Sequence, residues 1–198
     1  MPKLTPAELL SIHEIADSVA TDVAKLTAYQ SFVDDPHLSS MLHHAYQKAA
    51  AHYQELIDLA SGESLDRRFE NMDGGLSGRP KGMPAQPPTP VRPQVQAGFF
   101  SARTIAADCL SCAKNMAIRT IWAATEASHV GLRRAFSEMS RFYLDSAYEF
   151  FKFMEQKGWY VPLEATENAE RWFQQNHSQR TVYGDFEPSW VRPADMPS

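Results

Sequence analysis

Apolar residues recur at alternating spacings of three and four through four stretches of this chain, each about 25 residues long. In the last of them, Leu132, Phe136, Met139, Tyr143, Ser146, Phe150 and Phe153 fall on one seam. Such a period lines up along one side of a helix and makes no sense for a strand, whose faces alternate every second residue. The first stretch carries Leu9, Ile12, Ala16, Val19, Val23, Leu26 and Val33, with Gln30 the one polar member. The second carries Leu38, Leu42, Ala45, Ala49, His52, Leu56 and Leu59. The third carries Ala102, Ile105, Cys109, Cys112, Met116 and Ala123, interrupted by Arg119. The period predicts helices over about 5–33, 36–61, 101–127 and 130–157, all within a bundle spanning 5–160.

Start and stop signals fit those bounds. Thr5-Pro6-Ala7-Glu8 reads as a capping box with Pro in the first turn. Asp35-Pro36 caps the second helix, Ser101 caps the third, and Gly158 stops the fourth after Lys157. The first two helices are joined by a few residues, as are the last two, so each pair must form an antiparallel hairpin. A shift of 94 pairs Leu38 with Leu132, Leu42 with Phe136 and Leu56 with Phe150. That weak repeat supports pseudo-twofold geometry more than duplication. The last turn of the fourth helix adds Phe151 and Met154, an apolar surplus expected to pack under the tail or against a second subunit.

Between the hairpins, residues 62–98 are rich in Gly and Pro, from Gly74-Gly75 through Pro87-Pro88 to Pro93. No helix or strand is expected to persist through 74–93. The segment reads as a long crossover, either a plain tether or an extended strand that docks a partner. Residues 161–198 read as an extended C-terminal tail, with a short amphipathic helix over 163–176 carrying Trp172 and Phe173 on one side.

The net charge is −5 over 198 residues, which argues against a general nucleic-acid partner. It is unevenly spread. Residues 1–61 hold three Lys against eight Asp and Glu, a balance of −5; residues 101–160 hold eight Lys and Arg against six Asp and Glu, a balance of +2. Opposite signs favour docking of the hairpins. No stretch has the roughly 20 apolar residues of a membrane span. Met1-Pro2-Lys3-Leu4-Thr5-Pro6 lacks the apolar core of an export signal, so synthesis without a signal peptide is expected. Two Cys, at 109 and 112, make no disulfide framework.

Phe32-Val33-Asp34-Asp35-Pro36-His37-Leu38, Glu126-Ala127-Ser128-His129-Val130-Gly131-Leu132-Arg133-Arg134 and Phe153-Met154-Glu155-Gln156-Lys157-Gly158-Trp159-Tyr160-Val161-Pro162 resemble the spore coat protein F family of endospore-forming bacteria. The resemblance covers roughly 5–61 and 101–162, and not the Pro/Gly linker or the tail. It implies an all-α, ferritin-like antiparallel four-helix bundle. It also implies a structural protein made in the mother-cell cytoplasm and assembled into the spore coat, with no established enzymatic activity. Partners would be other coat proteins or further copies of the chain, as a homo-oligomer.

Ferritin-like bundles often hold two metal ions on about four carboxylates and two His, with Glu-x-x-His on two helices. Here the single Glu-x-x-His, Glu126 to His129, falls at a helix break, where His129 reads as a cap or turn residue. The fourth helix offers Glu149-x-x-Lys152 and Glu138-x-x-Arg141, and the second Glu55-x-x-Asp58. No complete dinuclear set emerges, so neither a catalytic centre nor a cofactor is expected. The alternative is a divergent metal-binding or redox bundle using His52, Glu55, Asp108, Cys109 and Cys112. His52 reads as either a hydrogen-bonded core residue or a ligand. His13 with Asp17, and His43-His44, read as solvated polar faces or as adventitious surface sites. Cys109-Leu110-Ser111-Cys112 puts two sulfurs on one helix face, with three readings open: buried small hydrophobes, cross-linking thiols, or metal ligands.

Overall fold

In the computed structural model, which describes residues 4–61, 100–162 and 165–177, the chain is all-helical among the described residues. α1 (Pro6–Tyr29) passes through a short 3-10 turn (Gln30–Phe32) into α2 (Pro36–Ala60); α3 (Ala102–Glu126) and α4 (Val130–Gln156) follow. The chain forms two compact units, Met1–Val161 and Pro162–Ser198. Of the second unit, α5 (Glu167–His177) is described, with Thr166 Oγ1 accepting from the Ala169 amide. The linker 62–98 and most of the tail expected beyond α5 lie outside the described residues, as does the side chain of Phe173.

The helix starts are held by side chains. Thr5 Oγ1 accepts from the Glu8 amide while Glu8 Oε2 accepts from the Thr5 amide, closing the capping box. Asp35 Oδ1 accepts from the amides of His37 and Leu38, and Ser101 Oγ from that of Thr104. At the far end of α4 the chain turns at Gly158 with φ of 69°. The Trp159 amide reaches back to the Met154 carbonyl at 2.8 Å. That left-handed position is open to Gly and strained for a residue with a Cβ.

Contacts fix the directions. Glu8, at the start of α1, meets Ser128 after the end of α3, and Tyr29, at the end of α1, meets Asp108 near the start of α3. Lys157, after α4, pairs with Asp35, before α2, and the His52 ring stands against Phe142 and Tyr143. α1 therefore runs antiparallel to α3, and α2 to α4. It follows that α2 and α3 point the same way. Ser61 and Phe100 then lie at opposite ends of the bundle, separated by about 37 Å of helix length at 1.5 Å per residue.

One apolar cluster joins all four helices, with Val19, Leu38, Leu42, Leu56, Ile105, Leu132, Phe136 and Phe153 fully enclosed. The α4 seam is buried throughout. α3 buries more than one seam, adding Ala106, Leu110, Ala113, Ala117, Thr120 and Ala124, because it faces both α1 and α4. Two expectations need correction. Leu9 is exposed, and its neighbour Glu8 turns inward in its place. The aromatic surplus at the end of α4 is absorbed by the same bundle: Phe150, Phe153 and Met154 are buried, Trp159 packs its ring against Phe153, and Tyr160 packs against Phe151. Gly158 makes this possible by folding the chain back over its own last turn.

Candidate functional site

Midway along the bundle the core turns polar. α1 presents Asp22, Lys25 and Tyr29 at spacings of three and four, toward Asp108, Cys109 and Cys112 on α3. Across from them α2 contributes only Ala45 and Ala49, and α4 contributes Phe142, Tyr143, Ser146 and Phe150. The two small α2 side chains leave a cavity of about 40 Å³, the volume of one or a few waters. A wider groove between α1 and α3 adjoins it, sharing Asp22, Lys25, Asp108 and Cys112.

The polar groups form a chain. The Cys112 thiol donates to both oxygens of Asp22 at 3.0 Å. Lys25 Nζ stands 3.8 Å from Asp22 Oδ1 and 2.8 Å from Asp108 Oδ2. Tyr29 donates its hydroxyl to Asp108 Oδ2 at 3.0 Å. Burial pushes the Asp22 carboxyl up, against the Cys112 hydrogen bond and the Lys25 charge. Burial works most strongly against the Lys25 ammonium, but the hydrogen bond to Asp108 and the acidic groups around it, Cys112, Asp108 and Asp22, together outweigh it and raise its pKa. Burial raises both thiols to about 12, with Asp108 adding to the effect at Cys109 and the Asp22 hydrogen bond at Cys112. Neither sulfur is therefore an activated nucleophile. Tyr143 lines the cavity, and its hydroxyl is buried with no partner among the described residues.

The structure thus brings Asp108, Cys109 and Cys112 together and adds Asp22, Lys25 and Tyr29, which the spacing argument did not single out. Those three each stand one place before a position of the α1 seam, at Val23, Leu26 and Gln30, and only the partner helix shows that they converge. His52 stays apart. It lies on α2, with Nδ1 buried and unpartnered among the described residues, packed against Phe142 and Tyr143. Burial, with the nearby Lys48 charge, lowers it to about 4, so the ring is neutral. Glu55 does not line the cavity. As a metal-binding set these donors fit poorly. The Lys25 ammonium stands between the two carboxylates where a cation would bind, the thiols hold their protons, and no metal-holding group of three or more His, Cys, Asp or Glu occurs among the described residues.

A second polar node closes the bundle end. Glu8, 3% exposed, accepts from the amides of Thr5, Ser128 and His129 and from the Ser128 hydroxyl, at 2.8 to 3.0 Å. Burial would raise its carboxyl, but these bonds hold it well below the usual range. The α1 cap and the α3–α4 corner therefore share one anion. The Glu126-to-His129 motif takes part through His129, which precedes α4 as its N-cap and places Nδ1 3.4 Å from Glu8.

Compared with known proteins, residues 101–164 match the family model of the Coat F domain. That segment is the α3–α4 hairpin with the Gly158 turn. The fold is shared with a crystallised protein of Bacillus halodurans C-125, assigned as a spore coat protein, at a TM-score of 0.58 and 16% identity. The match covers 84% of this chain and 97% of that one. No curated protein matches the sequence.

Proposed function

From the match of residues 101–164 to the Coat F domain, we propose that this protein is a structural component of the bacterial endospore coat, made in the mother cell and acting through protein–protein contacts. The match to that domain carries the reading. The second hairpin is the part of the chain it covers, and the bundle shared with a protein assigned to a spore coat is in keeping with it. The single long crossover is the connectivity of ferritin-like bundles, which supports placing the domain there. The buried polar chain suits a structural role as well: its carboxylates pair with the Lys25 ammonium and accept hydrogen bonds from Tyr29 and Cys112, and its thiols are protonated.

The test is localisation. A fluorescent fusion produced in the sporulating host should gather on the forespore surface and leave mature spores only under detergent and reductant extraction of the coat. A signal spread through vegetative cells, with nothing in the coat extract, overturns the reading. The metal-binding alternative has its own test, elemental analysis of protein purified without chelator or metal resin. Near-stoichiometric iron, manganese or zinc, lost in Cys112→Ala, would replace the structural reading with that one.

A further inference from the structure

Three large apolar side chains crowd the outward side of one turn of α3. Ile118 is 65% exposed, Ile121 46% and Trp122 69%. They point away from both neighbours of α3: Arg119 reaches to Glu14 and Ser18 on α1, and the Ala117 carbonyl accepts from Ser140 on α4. The antiparallel register that sets Glu14 against Arg119 also brings Leu10, exposed on α1, level with Trp122. A soluble chain rarely leaves such a group bare without using it.

What fits this face is written along it. Read outward from Thr120, which is buried and points to the core, three pairs match, while Ile121 stands level with Arg119, which is held against α1 by Glu14 and Ser18. Ile118 mirrors Trp122, apolar against apolar. Asn115 mirrors Thr125, polar against polar. Lys114 mirrors Glu126, cation against anion. When two identical helices meet antiparallel about a two-fold axis, residue i of one stands level with its mirror residue on the other. We propose that two copies of this chain pair through the outer faces of their α3 helices, antiparallel, about an axis at Thr120. Ile118 of each copy then covers Trp122 of the other. Each Lys114 comes level with the other copy's Glu126, within reach of long side chains across an interhelical distance of about 8–10 Å. Lys114 is already at the rim, its Nζ 5.6 Å from the Tyr160 ring centroid. Glu126 is exposed at the last position of α3.

One helix face per copy is small beside the roughly 800 Å² per partner of a standard specific interface, so a weak, micromolar dimer is expected. The inference rests on the reading of the chain as an assembly protein. Its test uses the purified full chain alone, so it can fail while coat localisation stands. In sedimentation velocity from low to several hundred micromolar, the wild type should move from monomer to dimer. Trp122→Glu and Ile118→Glu should raise Kd at least tenfold, with the thermal melt unchanged because both sites face solvent. Lys114→Glu and Glu126→Lys should each weaken the dimer at low salt, and the double reversal should restore it. That restoration identifies the register, and it remains available if the apolar variants misfold. A monomer at every concentration, a dimer indifferent to Trp122→Glu, or a double reversal as weak as its parents overturns the proposal.

Discussion

Glu8 is a single carboxylate doing the work of two caps. It satisfies amide donors at the start of α1 and at the α3–α4 corner, 120 residues apart in sequence. Replacing it with Ala leaves those donors buried and unpaired, and should cost about 2–4 kcal/mol in urea unfolding at neutral pH. Its folded pKa lies below the unfolded one, so its contribution is whole above about pH 4.5 and is lost as pH falls below that. His52 acts in a milder range. The unfolded ring takes up a proton near pH 6.5, while the folded one refuses it until about 4. Stability should therefore fall as pH drops through that window, and His52→Leu should flatten the 4–6.5 part of the pH–stability curve. An unchanged slope would show that the ring titrates freely.

At the scale of elements, α4 carries the core and Gly158 closes it. Phe136 and Phe150 are buried, and truncating either to Ala should cost about 3–5 kcal/mol. Near-wild-type denaturation midpoints would take those rings out of the core. Gly158→Ala asks a Cβ to sit at φ of 69°. Space is open there, so the cost is backbone strain alone, about 1–2 kcal/mol, read as a drop in melting temperature. The α4 period was legible because its apolar residues are large and its other faces polar. α1 was less so: by spacing alone Leu9 belongs to the seam and Glu8 to solvent. The reverse holds because an anion with enough amide donors around it is a stable interior group.

At the scale of the whole molecule, the four helices share one apolar cluster, although its middle layer is polar and holds a cavity. The two hairpins should therefore unfold together, with far-ultraviolet and near-ultraviolet circular dichroism tracing one coincident transition. Two separated transitions would mean that the polar layer divides the bundle into independent hairpins.

The chain's own order of residues determined the helices, their caps, the two hairpins and the resemblance to the coat protein F family, because helix period and capping depend on neighbours three and four places away. Asp108, Cys109 and Cys112 were legible as chemistry-bearing residues for the same reason. Only the tertiary structure decided what they meet. Lys25 and Tyr29 are about 80 residues from Asp108 in sequence, and their approach depends on how two hairpins are set side by side. The same packing left Ile118 and Trp122 outside while drawing Phe153 and Trp159 in. Hydrophobicity says that a side chain favours leaving water; which neighbour it leaves water against is fixed only when the helices meet.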